Sequence, residues 1–223
     1  MNEPDSDWTD LARELGLEQC ELKPLEALKV AALDMHGLDP GQEDQLPPDE
    51  RTKIQRLEQA LQVLESLGAF TSLMAAGPHA GWRSRLLRGD YREHRVSVFS
   101  LEGQEANYGV SLRFRRRLGW GLRIVREGFG HKLGKLLRLT QDLQLDDAEL
   151  DPLVLIQAED VAGAKGWLGD PGLREDLRDL FQLSEGVEVL DWGLRFQGDS
   201  GNLTPGRVRA ILDAMLPIAA YVR

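Results

Sequence analysis

The spacing of apolar residues predicts that the first third of the chain is helical. Apolar positions recur every three or four residues in segments that begin at Asp7, Pro24 and Asp49, and this period is typical of helices with one buried face. Residues 38–48, between the second and third helices, hold three prolines and several acids, so we expect a mobile, cleavable loop there. We therefore expect a helical N-terminal part over residues 1–77.

The third predicted helix, residues 50–67, carries a leucine-rich seam close to coiled-coil spacing. Packing against its own domain is the first interpretation of this seam, and a homodimer formed through the helix is the second. The seam residues are Ile54, Leu57, Leu61, Leu64 and Leu67.

After Gly77 the pattern changes to alternation, which predicts strands. The clearest case is residues 108–117, where apolar Tyr108, Val110, Leu112 and Phe114 alternate with Ser111, Arg113, Arg115 and Arg117. Period two with one polar face is typical of a half-buried antiparallel strand, so the arginines should face solvent. Further strands are expected at 92–101, 122–126, 153–156, 187–190 and 194–196, and further helices from Asp160, Asp170 and Thr204.

This order predicts an α+β fold with antiparallel sheets and packed helices. The C-terminal unit should read strand, helix, helix, hairpin, helix. An α+β domain is expected over residues 78–223, which can divide into two halves at 78–140 and 141–223.

Composition places the chain among globular, non-membrane proteins. It has 223 residues, of which 42% are hydrophobic and 29% charged, and no apolar stretch approaches the ~20 residues that span a bilayer. The single cysteine, Cys20, excludes an internal disulfide, and the acidic start carries no secretory pattern. We expect a cytoplasmic protein.

The net charge of −10 conceals a basic middle. Residues 83–138 contain 14 Lys or Arg and 5 Asp or Glu, whereas residues 1–50 contain 3 and 14, and residues 139–223 contain 7 and 16. One explanation is that the acidic flanks neutralise the basic segment internally. The other is that the basic face binds an acidic partner.

Several stretches resemble a set of uncharacterised bacterial proteins of the myxobacterial type. They are residues 8–17 (WTDLARELGL), 121–124 (GLRI), 140–145 (TQDLQL), 149–154 (ELDPLV) and 173–180 (LREDLRDL). The resemblance covers roughly 83–223 and the N-terminal patch, and implies an α+β fold with no known activity. Residues 18–77 look like a helical insertion. Those proteins tend to have Gly-Asp where this chain has Asp146-Asp147.

The sequence lacks the residue patterns that are typical of most catalytic and metal sites. The four histidines and Cys20 show no zinc spacing, so no metal or cofactor is expected, and no catalytic residues are assigned. Residues 128–135 (GFGHKLGK) resemble a phosphate loop, but the spacing is wrong. A glycine-rich turn into a helix can still bind an anion through backbone N–H groups, with Lys132 and Lys135 beside it. The acidic run 142–151 lacks calcium-loop spacing.

These observations favour a non-catalytic protein-interaction or scaffold module with another protein as partner. The alternative is an anion-binding adaptor for nucleic acid, phosphate or lipid headgroups. Its candidate residues are Arg113, Arg115, Arg117, Lys132 and Lys135.

Overall fold

The computed structural model describes residues 4–21, 24–39, 41–66, 83–102, 107–127, 143–183, 185–199 and 204–222. Within them the chain is α+β, with an eight-stranded antiparallel sheet and six helices. This confirms the predicted fold class. The helices are α1 (Pro4–Leu15), α2 (Pro24–Met35), α3 (Pro48–Ser66), α4 (Val161–Trp167), α5 (Pro171–Leu183) and α6 (Pro205–Ala220).

The strands follow one another in the sheet in the order β1-β2-β3-β4-β8-β7-β5-β6. β1 pairs antiparallel with β2, and β5 pairs antiparallel with both β6 and β7. The strands are β1 (Glu18–Glu21), β2 (Arg83–Tyr91), β3 (His94–Glu102), β4 (Asn107–Arg113), β5 (Arg123–Arg126), β6 (Val154–Gln157), β7 (Val187–Leu190) and β8 (Gly193–Asp199).

Local signals place most helix ends as expected. Gly16 and Gly37 have positive φ just after α1 and α2, a conformation that glycine adopts without steric cost. Asp160 caps α4 by accepting from the Gly163 N–H, and Thr204 caps α6 by accepting from the Arg207 N–H at 3.2 Å. The spacing of Leu133, Leu136 and Leu137 predicts a further short helix, and these residues lie outside the described ranges.

The pattern of apolar residues does not predict two of the strands, β1 and β2. β1 is only four residues long, and β2 is interrupted by polar and charged positions. The expected strand 92–101 begins at His94, because Arg92 and Glu93 form the turn of the β2–β3 hairpin with φ of 48° and 68°. Two consecutive positive φ angles are typical of the two-residue hairpin turn that matches strand twist.

The contacts divide the chain into two units, the first comprising residues 1–89, 97–109 and 199–203. It holds α1–α3, and β1 pairs with β2 within it. Leu33, Leu38 and Leu46 form a buried cluster on which Ile54 packs. Leu38 and Leu46, which lie in the segment that we expected to be mobile, are buried in this cluster, and the mobility of that segment stays a prediction. A short 3-10 turn, Glu43–Gln45, lies inside that loop.

The second unit comprises residues 90–96, 110–198 and 204–223. Its strands β5–β8 carry an apolar face, and the packed pair α5 and α6 supplies further fully buried residues. The α5 residues are Leu173, Leu177, Leu180 and Phe181, and the α6 residues include Val208, Ile211, Leu212 and Met215. The domain boundary predicted after residue 77 stays a prediction, since residues 67–82 lie outside the described ranges.

Candidate interaction surface

The predicted arginine strand is shorter than expected. β4 ends at Arg113, and the next residue, Phe114, donates its N–H to the carbonyl of Trp192 at 3.0 Å. Leu118 donates similarly to Asp191 at 2.9 Å. The backbone thus leaves the strand ladder to bind the turn between β7 and β8. Arg115 and Arg117 lie in this following segment rather than on the strand.

The polar face expected for this strand is also more buried than its alternation suggests. Ser111 is 1% exposed, and its neighbours Val110 and Leu112 are fully buried on the other side. Arg113 is half-buried, and its carbonyl accepts a hydrogen bond from Nδ1 of buried His94 at 3.2 Å. The exposed part of the arginine run therefore begins beyond Arg113.

A single carboxylate organises the loop that follows the arginines. Oδ1 of Asp191 accepts the backbone N–H of Trp120 at 2.8 Å and that of Leu122 at 3.3 Å. Oδ2 accepts the N–H of Gly119 at 3.0 Å. Gly119 and Gly121 both have positive φ, as a tight turn of this kind requires. Hydrogen bonds to a carboxylate are stronger than neutral ones, so this loop is well fixed.

Trp120 joins the loop to the start of α4. Its carbonyl accepts the N–H groups of Glu159 at 2.8 Å and Asp160 at 3.1 Å. A Cβ atom at Gly163 would stand 2.5 Å from Nε1 of Trp120, so the indole lies directly on the helix backbone. Only glycine permits this approach at position 163 without a shift of the ring.

Three aromatic rings pack in series across the loop and α4. The Trp120 and Trp167 ring centroids are 6.0 Å apart with 51° between the planes. Phe114 meets Trp167 edge-on at 6.3 Å. Phe114 is buried, whereas both tryptophans are half-buried. Aromatic pairs in this range contribute about 0.5–1.5 kcal/mol beyond burial.

We name Arg115, Arg116, Arg117, Trp120 and Trp167 the Arg–Trp surface. All three arginines are exposed. Arg115 pairs with Glu93, and Arg117 also contacts the protein. Arg116 has no acidic partner among the described residues.

Much of the basic segment is neutralised within the chain. Among the described residues, at least six of its arginines pair with acids, some from the acidic flanks and some from the segment itself. The pairs are Arg88 with Asp39, Arg92 with Asp213, Arg95 with Asp90, Arg115 with Glu93, Arg123 with Glu188 and Arg126 with Glu185. Internal pairing therefore accounts for these six arginines, and Arg116 stays outside the pairs. Binding of an acidic partner by the basic segment stays a prediction.

The structure says less about the other features that the sequence singled out, which are the lysine pair, a metal site and a membrane span. Lys132 and Lys135 lie outside the described residues. Within the described part of the chain, no three His, Cys, Asp or Glu side chains converge as metal ligands, and no helix has the length and apolarity to cross a membrane.

A cleft of about 300 Å³ lies in the first unit, against α2, the 3-10 turn and α3. Its cations are engaged by the protein. Lys29 pairs with Glu58, and Nη2 of Arg51 donates to the carbonyls of Asp44 and Leu46. The cleft therefore presents mixed charge rather than a basic or acidic pocket.

Sequence reasoning selected Arg115 and Arg117 of the Arg–Trp surface but missed Arg116 and both tryptophans. It also missed Asp191, which holds the loop of Trp120. The two turns, 119–121 and 191–193, each carry a Trp-Gly pair, and glycine is a local signal for a turn. Their spacing of some 70 residues gives no local signal that one turn binds the other.

No protein-family model matches this chain, and neither does any curated protein. The fold is similar to the crystal structure of the mycobacterial trehalose monomycolate transport factor A, TtfA, with a TM-score of 0.50 and 8% sequence identity. The alignment covers 98% of this chain and 93% of that one. At this identity the likeness concerns the fold alone.

Proposed function

We propose that this chain is a non-catalytic interaction protein that binds an acidic segment of a partner protein through the Arg–Trp surface. The observation that carries the proposal is a run of three consecutive exposed arginines that leads into the loop of half-buried Trp120, whose ring packs on half-buried Trp167 of α4. Tryptophan and arginine are the residue types that most often dominate binding energy at protein interfaces.

Rigidity supports this role. Asp191 holds the loop by three backbone hydrogen bonds, and the Trp120 carbonyl is bonded to the residues that open α4. A surface that is already ordered loses little conformational entropy when it binds, so more of the contact energy contributes to affinity.

Charge supports an acidic partner. Arg116 has no acid beside it among the described residues, and Arg115 shares only the exposed Glu93. Consecutive guanidinium groups repel one another, and a carboxylate-rich segment would offset that repulsion while accepting forked hydrogen bonds.

A photo-crosslinking experiment in the native organism tests the proposal. A photoreactive phenylalanine analogue replaces Val161, which is 48% exposed at the first residue of α4. The matched control places the analogue at Leu183, which is 50% exposed at the end of α5. We expect one crosslinked protein at position 161 that mass spectrometry identifies and that position 183 does not capture.

Binding measurements with the purified partner then test whether the arginines provide the contact. We expect affinity to fall at least about tenfold when Arg115, Arg116 and Arg117 are changed to Glu, and to weaken with rising salt. Equal crosslinking at 161 and 183, or unchanged affinity in the triple variant, would contradict the proposal.

A second candidate is an anion-binding adaptor that uses the same surface for nucleic acid or lipid headgroups. Arginine and tryptophan together suit phosphate contact and base stacking. The net charge of −10 opposes approach to a phosphate polymer, which is why the protein partner ranks first. Binding of single-stranded RNA or anionic vesicles that the triple variant loses would favour this candidate.

Membership of the myxobacterial-type family is likewise part of the proposal. Its supporting feature is Asp146, which has φ of 57° at a position where those proteins tend to have glycine. A left-handed backbone is what a glycine there would accommodate.

A further inference from the structure

Three charged side chains cluster on one face of the sheet in the second unit. Glu188 on β7 lies opposite Arg195 on β8 and opposite Val125 on β5. Arg123 lies two residues before Val125, so it shares that face. The other face of the same strands is apolar, with Ile124, Val189, Leu194 and Phe196 at most 1% exposed.

Glu188 serves both arginines. Its Oε1 accepts from Nη2 of Arg123 at 3.0 Å, and its Oε2 accepts from Nη2 of Arg195. Arg195 is 8% exposed and Glu188 is 9% exposed. The Arg123 side chain is 24% exposed, so the cluster reaches solvent at that end.

This arrangement leaves a surplus of positive charge and of donors. Two guanidinium groups share one carboxylate, which gives the cluster a formal charge of +1 at neutral pH. Nε and Nη1 of Arg195 and Nε of Arg123 are buried and have no acceptor among the described residues. An unsatisfied buried donor costs about 1–3 kcal/mol, and more when charged, so native proteins rarely leave several together.

We propose that Arg123 and Arg195 form a binding site for an oxyanion, a phosphate or carboxylate group, which Glu188 preorganises. A planar guanidinium held on one edge by Glu188 keeps its remaining N–H groups fixed for an anion with two or more oxygens. The bound anion cancels the surplus charge. This site is separate from the Arg–Trp surface and does not depend on the function proposed for it.

Nitrogen-15 spectra of the arginine Nε–Hε groups of the full chain test this site. The Arg195 signal is assigned by its loss in the Arg195→Lys variant, which keeps the charge beside Glu188 but lacks Nε. We expect inorganic phosphate or sodium acetate to shift the Arg195 signal saturably, whereas sodium chloride of equal ionic strength does not. Two salts are used because a phosphate source and a carboxylate source offer the same oxyanion chemistry.

Thermal unfolding supplies the second measurement. We expect the effective oxyanion to raise the Tm of the wild-type chain by about 2–5 °C over chloride, and this rise to be lost in Arg195→Lys. The control variant Arg115→Glu/Arg116→Glu/Arg117→Glu should keep the full rise.

Two results would overturn the site. One is no saturable shift with either salt at concentrations up to about 50 mM, which corresponds to affinity too weak for a built site. The other is a response that survives Arg195→Lys but disappears in the triple variant, because the anion would then lie on the Arg–Trp surface.

Discussion

Oδ1 of Asp191 accepts the backbone N–H of Trp120 at 2.8 Å, across 71 residues of sequence. The same carboxylate also binds the N–H groups of Gly119 and Leu122. The turn between β7 and β8 thereby fixes the loop that displays Trp120, and it does so through one side chain. The order of the Arg–Trp surface consequently depends on a residue that is not part of it.

Replacing Asp191 with Ala should destabilise the protein by about 1–3 kcal/mol, because three backbone donors lose a charged acceptor. Asp191→Asn keeps one oxygen and should cost less than Asp191→Ala. Urea unfolding followed by tryptophan fluorescence measures both. Equal stability of the alanine variant and the wild type would show that the loop is held by other contacts.

The sequence alone could locate the turns at 119–121 and 191–193, but it could not show that one turn is hydrogen-bonded to the other. Glycine at 119, 121 and 193 marks the turns by local chain geometry, which residue types do specify. The bond between Asp191 and Trp120 is tertiary, so no periodicity encodes it. The prediction that the strand continues to Arg117 was wrong for the same reason. The backbone N–H groups of Phe114 and Leu118 donate to a turn that is distant in sequence.

Leu46 should prove to be an anchor of the loop at 38–48. It is 2% exposed and packs with Leu33 and Leu38, so Leu46→Ala should cost about 2–4 kcal/mol. Gln45→Ala, at the exposed neighbouring position, should stay within about 0.5 kcal/mol of the wild type.

Trypsin gives an independent measure of the same anchor. Arg51 donates to the carbonyl of Leu46 at 3.0 Å, so cleavage after Arg51 should be slow in the wild type and faster in Leu46→Ala. Rapid cleavage of the wild-type chain after Arg51 would contradict this anchor and would support the mobile loop that the composition of residues 38–48 predicts.

Asp176 should make stability depend on pH. Burial raises the pKa of its carboxyl, and a hydrogen bond from the Tyr221 hydroxyl opposes part of that rise. The folded state therefore holds the proton more tightly than the unfolded chain, whose carboxyl titrates near pH 4. Stability from this group should fall as pH rises from about 4 through the raised pKa.

Asp176→Asn removes the charge and keeps an oxygen that can accept from Tyr221. We expect this variant to have a higher Tm than the wild type at neutral pH, with the difference vanishing below about pH 4. Tyr221→Phe should have the opposite sign at neutral pH, because the ionised carboxyl loses its donor. A lower Tm for Asp176→Asn at neutral pH would mean that the hydrogen bond outweighs burial.

Asp146 has a backbone conformation that aspartate permits but does not by itself specify. Its φ of 57° lies in the left-handed region, where aspartate is tolerated and glycine is favoured. The resemblance to proteins with glycine there left the type of turn undecided, because this chain has aspartate at that position. Asp146→Ala should cost about 1 kcal/mol, whereas Asp146→Gly should be neutral or stabilising by up to about 1 kcal/mol.

Urea midpoints of the two variants check this order. An alanine variant as stable as the glycine variant would show that position 146 relaxes to an ordinary backbone conformation when its side chain changes.

The exposed arginines distinguish internal neutralisation from partner binding. The half-buried Arg113 contacts the protein and is left unchanged, so the variant carries Arg115→Glu, Arg116→Glu and Arg117→Glu. Exposed ion pairs such as Arg115–Glu93 contribute about 0.2–1 kcal/mol each. The total loss of stability should therefore stay below about 2 kcal/mol, while binding of an acidic partner is lost.

The companion variant, with lysine at the same three positions, keeps the charge but lacks the planar fork. It should retain the stability of the wild type and bind with intermediate affinity, because lysine neither forks onto a carboxylate nor stacks on an indole as arginine does. Chemical denaturation and calorimetric titration measure the two quantities on the same samples. A glutamate variant that loses several kcal/mol of stability would place these arginines among the internal ion pairs of the fold, and the acidic partner would then have no surface left to bind.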